Sequence, residues 1–240
     1  LRRSYGFCTP KQVKDAYGLK GNQLIKAKSK EGTILTTKEA VEEEKKLVKS
    51  ATSGKGKFAP INKEYVVQNE QMNLEQRLAV KHALTSKDGV IIIEGGAGTG
   101  KTTLMKELTS GVEAAGKKVV AFAPSAEASR GVLQSEGFSA ADTVARLLMD
   151  EKLQHSLKDN VLWIDEAGLL GNKAMNGILD VAKTQNARVI LTGDTRQHNS
   201  VERGDAMRIL LEKSKIKPAR VTEIQRQKSR ADYKEAVKLI

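Results

Sequence analysis

The chain has 240 residues, a formal net charge of +12 and a single cysteine. That length carries one large domain or two small ones, and the lone Cys8 excludes an intrachain disulfide and fits a reducing compartment. No apolar run approaches the ~20 residues of a membrane span, and no signal peptide opens the chain, so a soluble, cytoplasmic protein is expected.

The charge is uneven, because residues 1–66 hold 15 basic and 7 acidic side chains. Such a surface suits a polyanionic partner, most simply nucleic acid, and it serves equally well to keep a protein soluble. Residues 1 to about 50 are mixed and polar. Thr36 and Thr37 ahead of Glu39 predict a helix start, and that helix runs through Leu47-Val48. Ser50-Ala51-Thr52-Ser53-Gly54-Lys55-Gly56-Lys57 then reads as a flexible, basic loop or linker. Residues 1–66 are therefore expected to be a small, basic, largely helical N-terminal region with its linker, the tail of a preceding domain. Residues 67–240 are expected to form a second, separate domain. The opening at Leu1 and the helical pattern running to Ile240 read as a piece of a longer protein.

Asn73 offers an N-cap for a helix from Leu74 to about Thr85. From Val90 onward short apolar runs alternate with helical patterns. Strands are expected at 90–94, 119–123, 161–165, 189–193 and 220–224. Helices are expected at about 101–115, 125–135, 141–154, 173–184 and 203–213. This alternation implies an α/β fold, a mostly parallel sheet with helices on both faces. Ligands of such sheets bind beyond the carboxyl ends of the strands, and each polar motif of this chain falls there.

The first of these motifs is Gly95-Gly96-Ala97-Gly98-Thr99-Gly100-Lys101-Thr102, between the run Val90-Ile91-Ile92-Ile93 and a helix start at Thr103-Leu104. It fits the P-loop pattern in its required strand–turn–helix context. The glycines let successive N–H groups point inward as an anion nest, and the helix N-terminus adds unpaired donors. Lys101 is expected to reach the β- and γ-phosphates of a nucleoside triphosphate, with the Thr102 hydroxyl on Mg²⁺.

Val161-Leu162-Trp163-Ile164-Asp165-Glu166 is an apolar strand ending in two carboxylates. Alone it reads as a turn. Beside a P-loop, Asp165 suits the magnesium site and Glu166 a general base for an attacking water. Gly193-Asp194-Thr195-Arg196-Gln197-His198 ends another strand, and the Gln197 amide could sit beside the γ-phosphate or that water. Arg226, after the last expected strand, is either a surface arginine or a guanidinium for transition-state charge. Gln76 can present a donor and an acceptor to an adenine edge. Phe138 could stack on a base, although packing beneath the following helix is the commoner fate of a phenylalanine.

The order of these pieces, Asn73 to Val80, the P-loop, Ala121 to Ala128, Asp165-Glu166, Gly193 to His198 and Thr222 to Gln227, resembles the first motor domain of RecD-like superfamily 1 helicases. A closer resemblance is to the helicase portion of MobF-type (TraI/TrwC) conjugative relaxases. It rests on Gly193 to His198 followed by Ser200 to Ala206, and on Thr36-Thr37-Lys38-Glu39, Glu43 and Gly54-Lys55-Gly56. The resemblance implies a RecA-like P-loop NTPase fold, with ATP and Mg²⁺ as cofactors and translocation on single-stranded DNA, 5′ to 3′. It implies nucleotide contacts from Gln76, Gly95, Gly96, Ala97, Gly98, Thr99, Gly100, Lys101, Thr102 and Thr103, and metal contacts from Thr102 and Asp165. Lys101, Glu166, Gln197 and Arg226 would be catalytic, and Pro124, Ser125 and Arg130 would lie on the DNA backbone. Ser125 also reads as a helix N-cap after Pro124.

A second RecA-like domain is implied as the partner that completes the ATP site, so this stretch alone is expected to hydrolyse ATP poorly. His82, His155 and His198 are scattered and form no readable metal site, and Tyr5, Tyr17, Tyr65 and Tyr233 are not paired for DNA nicking. Two other readings stand beside the motor: another P-loop ATPase or small-molecule kinase, and a nucleic-acid-binding module with little ATPase activity.

Overall fold

In a computed structural model of the chain the described residues are 24–29, 32–96, 98–194 and 204–223. The chain divides into two compact units, Leu1–Lys46 and Leu47–Ile240. In the first, β1 (Leu24–Ser29) and β2 (Gly32–Thr37) pair antiparallel, with Leu24 opposite Thr37. The described part of the expected helical region thus opens on a hairpin. Lys26 and Lys28 interrupt the apolar pattern of β1, so its period was not legible. Helix α1 (Lys38–Ser53) follows, and the Thr37 hydroxyl accepts the Ala40 N–H at 3.1 Å. It runs past Val48 into the expected linker because Leu47 and Ala51, one turn apart, are both buried.

Residues 54–62 pack within the larger unit. The Gly54 carbonyl accepts the Gly89 N–H at 3.0 Å, and the Gly56 N–H donates to Asp88 Oδ1 at 2.8 Å. Buried Arg188 donates to the Ala59 and Ser86 carbonyls at 2.7 and 3.0 Å, and its guanidinium lies 5.1 Å from the Phe58 ring centre. Burial pulls the Arg188 pKa down to about 10 against the opposing charge of Asp88, which leaves it a cation at neutral pH.

Six strands form one parallel sheet in the order β5-β4-β6-β7-β3-β8. They are β3 (Val90–Gly95), β4 (Val119–Ala123), β5 (Asp142–Thr143), β6 (Val161–Ile164), β7 (Arg188–Gly193) and β8 (Ala219–Val221). Strict alternation along the strands feeds two separate cores. Ile91, Ile93, Trp163 and Ile190 pack with Ala79, Val80 and Leu84 of α2 (Leu74–Thr85) and with Leu104, Met105 and Leu108 of α3 (Lys101–Glu113). Ile92, Leu162, Ile164, Val189 and Leu191 pack with Met175, Ile178 and Leu179 of the helix Asn172–Thr184, and with Met207 and Leu210 of the helix Ala206–Lys213. Helices on both faces explain why these strands read as continuous apolar runs.

Three expected boundaries shift. The helix expected over 141–154 is instead β5 at the sheet edge, then α4 (Val144–Met149) and α5 (Glu151–Ser156). Asp150 breaks it, with φ −102° and ψ 97°, and its carboxylate caps α5 by accepting the Leu153 N–H at 3.0 Å. The helix expected over 125–135 is π-helical from Glu127 to Leu133, and the last strand ends at Val221. The helices of the second core follow in order as α6 (Asn172–Thr184) and α7 (Ala206–Lys213).

Candidate nucleotide site

β3 delivers the chain to the P-loop at the carboxyl edge of the sheet. Gly98 and Gly100 both hold φ at +77°, a left-handed conformation that favours glycine. Gly95 is small for another reason: a Cβ there would lie 3.0 Å from Thr99 Oγ1 and 3.1 Å from the Val221 carbonyl. The Thr99 hydroxyl donates to the Gly96 carbonyl at 2.9 Å and closes the loop. Ala97 lies outside the described residues. Gly100 gives α3 no side-chain cap, so the N–H groups of its first turn, which carries Lys101, Thr102 and Thr103, face outward as donors for an anion. Lys101 Nζ lies within the loop and donates to the Gly95 and Gly96 carbonyls at 2.9 and 3.0 Å.

Asp165 and Glu166 leave β6 at the same edge. The Asp165 N–H donates to the Phe122 carbonyl at 2.8 Å, and its Oδ1 accepts the Thr192 hydroxyl at 2.7 Å. Trp163 Nε1 donates in turn to Thr192 Oγ1 at 2.7 Å. This Trp–Thr–Asp relay, buried at Trp163 and Thr192, fixes the Asp165 carboxylate from below. Sequence reading gave Thr192 no role; its signal is a hydroxyl ending the buried run Val189-Ile190-Leu191. Phe138 packs edge-on against Trp163, with centroids 4.7 Å apart, so packing is its role.

Glu166 sits in the left-handed region at φ +51°. Desolvation raises its carboxyl pKa, Asp165 and Glu127 add to the rise, and Lys101 opposes it. Lys101, Asp165 and Glu166 therefore share one electrostatic site. Asp194, at the end of β7, abuts it: a Cβ on Gly96 would lie 3.3 Å from Asp194 Oδ2, and one on Gly168 would lie 2.8 Å from the Asp194 carbonyl. Gln197 and Arg226 lie outside the described residues.

Gln76 is buried and its amide is engaged on both sides. Nε2 donates to the Thr99 carbonyl at 2.9 Å, and Oε1 accepts the Asn73 N–H at 3.0 Å. Asn73 Oδ1 accepts the Gln76 N–H at 2.8 Å, which completes a capping box. The residue expected at adenine therefore braces the P-loop from behind.

Pro124 and Ser125 follow β4, with Ser125 exposed and its Oγ accepting the Ala128 N–H at 3.1 Å, the capping role. Arg130 is half-exposed and engaged: its guanidinium donates to Asp142 Oδ1 at 2.9 and 3.2 Å, and Arg146 donates to Asp142 Oδ2. Burial alone would raise the Asp142 carboxyl pKa, but the Thr143 N–H and the two guanidiniums outweigh it and hold the value below the ordinary range. Stability from Asp142 is therefore fully present above the unfolded pKa of about 4 and is lost as pH falls through the lower folded value. Asp142→Asn should cost about 1–2 kcal/mol at pH 7, since both arginines are half-exposed. The cost should shrink toward pH 3 in urea melts; a pH-independent loss would count against the ion-pair account.

These residues suit a magnesium nucleotide: a nest of amide donors, one ammonium, one hydroxyl and a braced carboxylate. Mg²⁺ takes one or two carboxylates and fills its remaining positions with phosphate and water. Among the described residues no group of three or more His, Cys, Asp or Glu gathers for a metal ion, and no helix is long and apolar enough to cross a membrane.

A model of the AAA domain family AAA_30 matches residues 71–240. The conjugal transfer protein TraA of Rhizobium radiobacter is 31% identical over 146 residues, covering 60% of this chain and 13% of that protein. The multifunctional conjugation protein TraI of Escherichia coli K12 is 27% identical over 205 residues, covering 81% of this chain and 12% of its own length. The ATP-dependent RecD2 DNA helicase of Deinococcus radiodurans is 33% identical over 121 residues, covering 48% of this chain and 17% of that protein. The chain thus spans less than a fifth of the length of each of these relatives.

Proposed function

We propose, for a chain that belongs to the AAA domain family AAA_30, that it is the first RecA-like motor domain of a cytoplasmic, ATP-dependent DNA helicase. We assign it 5′-to-3′ translocation on single-stranded DNA within a conjugative relaxase–helicase. One observation carries the reading: β3 and β6 flank β7 in parallel, so the P-loop with Lys101 and the Asp165-Glu166 pair leave the same edge of the sheet, and Thr192 of β7 holds the Asp165 carboxylate there. The similarity to RecD2, a DNA helicase by name, supports DNA as the track, and that to TraA and TraI supports a place in conjugation.

In this mechanism the α3 N-terminus and Lys101 bind and orient the phosphates. Thr102 and Asp165 would hold Mg²⁺, which would supply charge neutralisation on the triphosphate. Thr192 keeps the Asp165 carboxylate turned to that task. Glu166 takes the proton of the attacking water, aided by a carboxyl pKa raised above the ordinary value. Gln197 couples the γ-phosphate to DNA, Arg226 stabilises charge on the transferring phosphoryl group, and a second RecA-like domain completes the cleft. Pro124, Ser125 and Arg130 follow the DNA backbone, where no base readout is needed. Residues 67–240 are the motor, and residues 1–66 are the basic tail of a preceding domain with its linker.

The test is ATP turnover by the full-length parent protein with and without single-stranded DNA. DNA should raise the rate at least about tenfold, and binding should weaken steeply between 50 and 200 mM salt, as phosphate contacts require. Equal turnover with and without DNA sinks the motor reading and favours a different P-loop enzyme.

A further inference from the structure

The first turn of α2 touches two parts of the site at once. Gln76 holds the P-loop through the Thr99 carbonyl. One residue earlier, Glu75 grips the chain as it leaves β8: Oε2 accepts the Thr222 N–H at 2.6 Å and the Glu223 N–H at 3.1 Å, and Oε1 accepts the Thr222 hydroxyl at 2.8 Å. Asn73 Nδ2 adds a fourth bond, donating to Glu223 Oε2 at 2.8 Å. The capping box ties Asn73 and Gln76 together, so the turn moves as one piece. The P-loop entrance also meets β8 directly, with Gly95 paired to Val221 and packed under its carbonyl.

Ordinary capping does not account for this arrangement. A glutamate in the first turn of a helix is stabilised simply by facing the unpaired N–H groups of its own helix. Glu75 instead turns both oxygens to the chain just past β8, 147 residues away, and these bonds lower its pKa, led by the Thr222 N–H. All four hydrogen bonds fall just past the three-residue edge strand, on Thr222 and Glu223. They hold Thr222 and Glu223 against the first turn of α2.

We propose that the Asn73–Gln76 turn is a bracket that transmits occupancy of the P-loop to the exit of β8, with Glu75 as the positioning residue at its far end. This rests on the nucleotide-binding reading of the P-loop. A triphosphate entering the loop draws on the backbone around Thr99, Gln76 passes the adjustment to the turn, and Glu75 passes it to Thr222 and Glu223.

Backbone amide exchange in the 240-residue chain, read at Thr222 and Glu223 by NMR with and without saturating Mg-ATPγS, tests the bracket. In the wild type, nucleotide should slow exchange at these two amides at least about fivefold, the equivalent of one added hydrogen bond. In Glu75→Ala both amides should exchange fast and equally with and without nucleotide, while the Kd for a fluorescent ATP analogue stays within about twofold of wild type. Glu75→Gln, which keeps one acceptor, should recover part of the nucleotide-dependent slowing and guards against a folding defect in the alanine variant. Nucleotide that binds the wild type and leaves both amides unchanged overturns the bracket alone and makes Glu75 a static latch. Failure of the wild type to bind nucleotide overturns both the bracket and the P-loop reading.

Discussion

Lys101→Ala should weaken nucleotide binding at least about a hundredfold, a loss of roughly 2.7 kcal/mol, and reduce ATP turnover to background. The size follows from the position of the ammonium. Nζ sits inside the loop on the Gly95 and Gly96 carbonyls, already partly stripped of water. Binding exchanges those carbonyls for phosphate oxygens, so the gain is charge-assisted hydrogen bonding without the full cost of desolvating a free lysine. Alanine loses that gain and also leaves two loop carbonyls without their donor. A small stability loss, about 1 kcal/mol in a urea melt, should accompany the binding defect. Lys101→Arg separates charge from shape, because a planar guanidinium does not fit two carbonyls reached by a single nitrogen. It should keep most of the stability and still bind nucleotide poorly. A wild-type Kd for a fluorescent ATP analogue in Lys101→Ala would remove the P-loop from any role in function.

Where the chemistry is local, the sequence was legible. The P-loop announced itself because its glycines must take conformations that other residues avoid, and Gly98 and Gly100 do so. The strands announced themselves because burial on both faces leaves no polar position in Val90 to Ile93 or Val161 to Ile164. What escaped were the long-range partners. Asp142 reads as a polar residue opening a helix, yet Arg130 and Arg146 draw it into the sheet edge as β5. Asp150 sits in an unbroken helical pattern, and only its carboxylate bond to Leu153 reveals a stop and a restart. Gln76 has the right chemistry for an adenine edge, but its burial between Asn73 and Thr99 follows from the tertiary fold. Thr192 was visible as a residue and silent as a function, because the Trp163–Thr192–Asp165 relay crosses between strands that only the sheet order brings together. Gln197 and Arg226 remain proposals, supported by their place in the motif order.

Glu166→Gln should lower ATP turnover by about two to four orders of magnitude while nucleotide binding holds or tightens. The amide keeps the shape of the side chain and removes its basicity, and it relieves the site of one negative charge facing the triphosphate. The pH profile gives an independent check. A base works only when deprotonated, and desolvation together with Asp165 and Glu127 raises the Glu166 pKa. Wild-type turnover should therefore fall on the acid side at a pH above the ordinary glutamate value, and that limb should vanish from the residual activity of Glu166→Gln. Backbone geometry supplies a third handle. A non-glycine residue at φ +51° costs about 1 kcal/mol or more. Glu166→Gly removes that strain at the entropic cost of a glycine, so its stability should equal or exceed wild type by up to about 1 kcal/mol. The same variant should be as inactive as Glu166→Gln. Activity and stability moving in opposite directions at one residue would mark Glu166 as a catalytic group held in place against its own backbone preference; a Glu166→Gly variant both unstable and active would make it an ordinary turn.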